Sequence, residues 1–177
     1  KLENMLPEPK SPYAETKLAG EHYCAIYTQE RGLPTACLRY FNVFGPRQDP
    51  GSQYAAAVPI FISKAINNET VTIFGDGEQT RDFIYVKDIV AANAFFATES
   101  DACGVFNVAY GTRISINDLA TKIIRLTGSS SEIKHLPVRA GDVKHSQASV
   151  EQLKNAGFKS NYDFDEGLAS TIEFFSR

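Results

Sequence analysis

Residues Ser11–Gly45, SPYAETKLAGEHYCAIYTQERGLPTACLRYFNVFG, read as a helix, a stop and a strand in immediate succession. Ser11 is a good N-cap, and Pro12 suits the first helical position, where the backbone N–H is unpaired in any case. The helix is expected to run through Glu30 or Arg31, with Gly32 and Pro34 ending it. It carries Tyr13, Tyr23 and Tyr27 beside small Ala14, Ala19, Gly20 and Ala25, a surface that lets another element approach closely. Thr35 to Phe44 is nearly continuous apolar and aromatic sequence closed by Gly45-Pro46. Such a run predicts a parallel strand buried on both faces.

Working outward, a polar loop from Arg47 to Gln53 precedes a helix with Val58, Phe61, Ile62, Ala65 and Ile66 at helical period. Asn67-Asn68 ends it. Short strands at Val71–Phe74 and Asp82–Val86 flank the turn Gly75-Asp76-Gly77. A helix over Ile89–Ala97 and a strand over Val105–Ala109 follow. Ser115, with Asp118 three residues on, opens a helix whose buried stripe is Ile116, Leu119, Ala120, Ile123 and Ile124. Ile133–Leu136 is a strand, and Val138–Ser146 a charged loop. Ser149 with Gln152 predicts a capping box for a short helix ending at Gly157, and a last helix spans about Asp165 to Phe175. Alternating strands and helices make the class α/β.

The 177 residues are 43% hydrophobic and 22% charged, which suits a globular body with a real core. A net charge of -3 leaves no basic surplus, so neither nucleic acid nor an anionic membrane is expected as a partner. No apolar run approaches membrane-spanning length and no signal-peptide pattern opens the sequence. Cys24, Cys37 and Cys103 are few and far apart, and His22, His135 and His145 show no ligand spacing with them. No metal site or disulfide framework is expected, and a reducing cytoplasm is the expected compartment.

The chemistry concentrates at the head of the first helix. Tyr13 and Lys17 stand four residues apart, so a phenol and an ammonium share one helical face. A phenol titrates near pH 10, and acting as a base at neutral pH requires roughly 4 kcal/mol of phenolate stabilisation. One ammonium about 5 Å away supplies on the order of 3 kcal/mol at an effective dielectric near 20. A second cation would supply the remainder. The plainer alternative is a half-buried tyrosine beside a solvated lysine, and the pair by itself does not separate the two.

Three ordered blocks do. Ser11-Pro-Tyr13-x-x-x-Lys17, then Leu38-Arg-Tyr-Phe-Asn42-Val-Phe-Gly-Pro-Arg47, then Gly75-Asp-Gly-x-x-Thr80-Arg81-Asp82-Phe-x-Tyr85-Val together resemble an extended short-chain dehydrogenase/reductase, and more narrowly the nucleotide-sugar 4-epimerases. Gln48-Asp49-Pro50, Tyr54-Ala-Ala56-Ala57-Val58-Pro59 and Arg139-x-Gly141-Asp142-x-x-His145-Ser146 are most similar to the UDP-N-acetylglucosamine 4-epimerase branch. The resemblance covers nearly the whole chain.

It implies Tyr13 as the acid/base at the sugar 4-hydroxyl, with Lys17 favouring the phenolate and holding the ribose of NAD. It implies a contact of the Val43 backbone with the nicotinamide and of Asn42 with the nucleotide-sugar. Arg81 and Arg139 would clamp the UDP diphosphate, a task suited to forked guanidinium donors. Their plainer alternative is pairing of Arg81 with Asp82 or Asp88, and of Arg139 with Asp142. Ala56 and Ala57 would offer helix N-terminal N–H groups to phosphate or uracil oxygens. Ser146 would set the volume beside the sugar 2-substituent, its small side chain leaving room for an acetamido group. Tyr85, Phe41 and Phe74 are expected in the core. A homodimer is implied through the Ser11–Arg31 helix.

No glycine-rich strand–turn–helix fingerprint precedes Tyr13, and the family's upstream catalytic serine or threonine is absent from these residues. The expectation is the C-terminal part of a Rossmann-type NAD-binding domain, residues 1–47, followed by a smaller α/β nucleotide-sugar-binding region, residues 48–177. Such a portion is expected to be inactive alone. A nucleotide-sugar 4,6-dehydratase or decarboxylase on the same scaffold, or a non-catalytic UDP-sugar-binding or dimerisation fragment, are the alternatives.

Overall fold

The computed structural model describes residues 1–51, 56–138 and 143–177. Its elements run α1 (Pro12–Arg31), β1 (Ala36–Tyr40), β2 (Asn42–Phe44), α2 (Ala57–Ile66), β3 (Val71–Phe74), β4 (Thr80–Arg81), β5 (Phe83–Tyr85) and α3 (Val86–Thr98). β6 (Gly104–Val108), β7 (Ile114–Ser115), α4 (Ile116–Thr127), β8 (Ile133–Leu136), α5 (Glu151–Asn155) and α6 (Phe164–Phe175) complete the described chain. β1 pairs with β6, β2 with β5 and β3 with β8, all parallel, while β4 and β7 pair antiparallel.

The α1 ends are set by local chemistry. The Ser11 hydroxyl accepts from the Ala14 N–H at 3.1 Å, and Gly32 closes the helix at φ 62°, a left-handed conformation that favours glycine. The strand expected over Thr35–Phe44 is instead two strands. Phe41 N–H donates to Val108 O at 3.2 Å, and the next residue, Asn42, donates its N–H to Asp82 O at 3.2 Å. The chain thus changes partner from β6 to β5 within one residue. β1 is also only half buried rather than covered on both faces: β6 is its sole partner strand among the described residues, and Tyr40 is exposed.

Helix α3 begins three residues before the expected start, because Tyr85 at its N-cap supplies no side-chain cap and so leaves no sequence signal. The capping box expected at Ser149 does not form. Val150 occupies the N-cap of α5, Ser149 N–H donates to Lys1 O at 2.8 Å, and the Ser149 hydroxyl reaches Glu151 N only at 3.5 Å. The box lies instead at α6, where Asp163 accepts from Glu166 N–H at 2.8 Å and Glu166 accepts from Asp163 N–H at 3.0 Å. At α4 the Ser115 hydroxyl accepts from Asp118 N–H at 3.0 Å, as expected from the sequence.

The main core lies between α2, α4 and α6 and the strands β3 and β5, with Val58, Ile62, Leu119, Ile123 and Leu168 fully buried. Phe44, Phe83, Tyr85 and Phe164 stack through tilted and edge contacts with centroids 5.4–6.3 Å apart. Tyr85 is fully buried, as expected, with its hydroxyl 3.0 Å from Ser170 Oγ, whereas Phe41 and Phe74 are half buried. A Cβ on Gly167 would meet the Tyr85 ring at 2.7 Å, so glycine is what lets α6 approach β5. Among the described residues no helix is long and apolar enough to cross a membrane.

Candidate active site

Tyr13 lies in the first turn of α1 with 71% of its surface exposed, and Lys17 Nζ sits 5.1 Å from the centroid of its ring. The pair shares one helical face, as its spacing requires. The ammonium lies over the ring face, where the quadrupole attracts it.

The helix is tied to β1 by a ladder of side-chain contacts. Arg39 donates Nε and Nη2 to the two carboxylate oxygens of Glu21 at 2.7 and 2.6 Å, a bidentate pair that holds the guanidinium pKa above its ordinary value. One turn on, Cys24 lies beside Cys37. Burial and then this neighbour push the Cys37 pKa up to about 12, so it stays a thiol at neutral pH. Further on, Thr28 Oγ1 meets Thr35 Oγ1 at 2.7 Å. The order 21–39, 24–37, 28–35 lays the helix antiparallel on the strand.

β1 leads directly into the second group. Asn42 Nδ2 donates to Asp82 O at 2.8 Å, so the Asn42 amide is held by the strand end beside it. Val43 O accepts from Gln48 Nε2 at 3.2 Å, while Gln48 Oε1 is buried without a hydrogen-bond partner among the described residues. Arg81 lies on β4, with Nη1 donating to Thr80 O at 2.9 Å. Ser146 N–H donates to that same carbonyl at 3.1 Å, which brings Arg81 and Ser146 to one oxygen.

Ala56 is the N-cap of α2 and Ala57 its first residue. No side chain caps this terminus and no acidic residue lies in its first turn, so its electropositive end is uncompensated by the helix itself. Arg139 and Asp142 lie outside the described residues.

The structure overturns one alternative. Asp82 and Asp88 do not form surface pairs with Arg81, because both carboxylates are fully buried. Asp88 accepts from the Tyr110 hydroxyl and from Asn161 N–H, each at 2.7 Å. Burial raises the Tyr110 pKa, and Asp88 at its hydroxyl raises it further. Asp82 accepts from Tyr110 N–H at 3.2 Å and from Ala148 N–H at 3.1 Å. Sequence reading missed Asp82, Asp88, Tyr110 and Gln48; an aspartate inside an apolar strand run, Asp82 before Phe83-Ile84-Tyr85, was the available signal.

Tyr13 and Lys17 make no hydrogen bond or ion pair to Asn42, Val43 or Ser146; β1 and its turn into β2 connect the two groups. A helix laid antiparallel on a parallel strand pair, with the chain then crossing to a second parallel pair, is α/β architecture of the kind found in Rossmann-type domains. The chain is a member of the NAD dependent epimerase/dehydratase family, whose pattern matches residues 1–109.

Its structure is similar to that of the UDP-N-acetylglucosamine 4-epimerase of Methanobrevibacter ruminantium in complex with UDP-N-acetylmuramic acid, with a TM-score of 0.93 and 47% identity over 98% of this chain and 56% of that one. It is also similar to the UDP-glucose 4-epimerase of Thermotoga maritima with UDP-glucose, with a TM-score of 0.93 and 39% identity over 99% of this chain and 56% of that one. The UDP-glucose 4-epimerase of Mycolicibacterium smegmatis is 37% identical over 98% of this chain and 55% of its own length. The chain therefore spans about half the length of the relatives it matches.

Proposed function

We propose that the full-length protein interconverts the C4 epimers of a UDP-sugar through a 4-keto intermediate, with UDP-N-acetylglucosamine and UDP-N-acetylgalactosamine as the preferred pair. The observation that carries this reading is the exposed Tyr13–Lys17 pair at the head of α1, a helix tied through Glu21 to β1, which leads into the Asn42–Asp82–Arg81–Ser146 group. The 47% identity to a UDP-N-acetylglucosamine 4-epimerase supports the choice of sugar.

In this reading residues 1–47 close the NAD-binding domain and residues 48–177 are mainly the nucleotide-sugar region. The residues present fit one end of NAD. Tyr13 and Lys17 offer a phenol and an ammonium to ribose hydroxyls, and the orphaned Gln48 Oε1 beside the Val43 carbonyl suits the N–H of a carboxamide. When bound, NAD supplies the hydride chemistry that no side chain can perform.

Tyr13 takes the proton of the sugar 4-hydroxyl and later returns one to the 4-keto oxygen, and Lys17 favours the phenolate while it holds the ribose. Asn42 orients the sugar. Arg81 and Arg139 neutralise the diphosphate, and the uncapped start of α2 at Ala56 and Ala57 adds N–H donors to the UDP oxygens. Ser146 leaves room for the sugar 2-substituent. The partner is thus a UDP-sugar, with a second copy of the chain joined through α1, and the 177 residues alone are inactive because the pyrophosphate-binding turn is not among them.

The test offers UDP-N-acetylglucosamine and UDP-glucose in parallel to the full-length protein and follows 4-epimer formation by chromatography. Faster conversion of the acetamido sugar is expected, falling by roughly 10²- to 10⁴-fold in Tyr13→Phe. A 4-keto-6-deoxy or decarboxylated product in place of the epimer would retain the scaffold and replace the reaction.

A further inference from the structure

Asp82 has an unusual distribution of partners. Its backbone carbonyl accepts from both Asn42 N–H and Asn42 Nδ2, at 3.2 and 2.8 Å. Its carboxylate, fully buried, accepts from the Tyr110 and Ala148 backbone N–H groups, one on each oxygen.

The strand logic explains why a side chain is used. Thr80 N–H donates to Lys144 O at 2.8 Å and Ser146 N–H donates to Thr80 O at 3.1 Å, one rung of a parallel ladder between β4 and the segment around His145. The next rung would bring Ala148 N–H to Asp82 O. That carbonyl is already taken by Asn42, because β2 pairs with β5. Ala148 N–H goes instead to the Asp82 carboxylate, so the side chain replaces the missing rung. Ser146 is thereby fixed from both sides: by its own N–H on Thr80, and two residues later by Ala148 on Asp82. Gln147 adds a tie between them, Nε2 to Gly111 O at 2.6 Å.

We propose that Asp82 is the positioning residue of the nucleotide-sugar site, holding Asn42 through its carbonyl and the Ser146-bearing segment through its carboxylate. This rests on the reading of that site given above. Aspartate is required because an N–H donor meets each carboxylate oxygen, which calls for an acceptor-only group. Asparagine at 82 would keep the carbonyl and its grip on Asn42 but turn an NH₂ toward an N–H donor. Asp82→Asn therefore releases the Ser146 side of the site while leaving the Asn42 side in place.

The experiment measures dissociation constants of UDP and of UDP-N-acetylglucosamine for the NAD-loaded full-length protein and its Asp82→Asn variant. A rise of roughly 10-fold for the UDP-sugar is expected, with UDP unchanged within about threefold. Ser146→Tyr, which narrows the space at the sugar, should cost less in the Asp82→Asn background than in the wild type, since the segment is no longer pinned. Equal weakening of UDP and UDP-sugar, or additive effects of the two substitutions, would reduce Asp82 to a general structural role and overturn the proposal. If Asp82→Asn does not fold, Gln147→Ala takes its place, an exposed position whose amide ties the same Ser146-bearing segment to Gly111 O. A selective few-fold loss for the UDP-sugar supports the proposal, and equal affinities overturn it. A wild-type protein that binds neither ligand would instead bring down the reading of the site as a UDP-sugar site.

Discussion

Helices α1 and α4 carry the same end signals and end in opposite environments. Each has a serine N-cap whose hydroxyl accepts a backbone N–H three residues on, and each stops at a glycine with φ near +60°, Gly32 at 62° and Gly128 at 64°. Yet α4 buries Ile116, Leu119, Ala120 and Ile123, while α1, 20 residues long, has no buried residue. Tyr13, Tyr23, Ile26 and Tyr27 are all more than half exposed. Capping decides where a helix begins and ends; burial needs a partner surface, and α4 has α2, α6 and β3 where α1 has β1. With β1 as its main packing partner, α1 keeps its apolar side chains in contact with solvent, whereas α4 closes its apolar stripe inside a core of three helices and a strand.

The largest expected effect tests the covered side. Leu119→Ala should cost about 2–5 kcal/mol, because it opens a cavity in a fully buried position between α2 and α4. Urea unfolding of the 177-residue chain reads this directly. A loss below 1 kcal/mol would mean that the core around α4 is no better packed than the surface of α1.

The second effect is electrostatic and again contrasts the two regions. The Glu21–Arg39 pair under α1 keeps access to water, whereas Asp82 is wholly enclosed. Burial raises the Asp82 pKa from the ordinary 3.8 to about 6, and the amides of Ala148, Tyr110 and Gly111 only partly oppose it. A carboxyl whose folded pKa is raised stabilises the fold fully below its unfolded pKa and loses that contribution as pH rises through the folded value. Between about pH 4 and pH 7 the wild type should therefore lose up to about 3 kcal/mol relative to Asp82→Asn, which has no such titration. Unfolding both proteins at steps across this range checks it; a difference that stays flat would show that the buried carboxylate ionises at no cost.

The same contrast explains what could be read in advance. The ends of α1, the Ser115 cap of α4, the buried stripe of α4 and the Tyr13–Lys17 face depend on residues within one or two turns, and periodicity exposes them. The break at Phe41, the inward turn of Asp82 and the failure of Ser149 to cap α5 depend on partners far along the chain. Asn42 meets Asp82 across 40 positions, and Ala148 meets Asp82 across 66. An aspartate next to an arginine looks, from sequence alone, like half of a surface ion pair. Only the strand crossing reveals that its carbonyl is occupied and its carboxylate must serve as a rung.

The smallest expected effect is the most discriminating for α1. Ile26→Ala should change the stability of the 177-residue chain by no more than about 0.5 kcal/mol, since the side chain is half exposed and alanine is the better helix former. The outcome should not depend on protein concentration. In the full-length protein the same substitution should cost more, because there the proposed α1 interface would cover the residue and its removal would leave a gap. A loss above 1 kcal/mol in the 177-residue chain that grows with concentration would show α1 already covered by a second copy. A loss above 1 kcal/mol that ignores concentration would place Ile26 in contact with its own chain, and the contrast between α1 and α4 would fail.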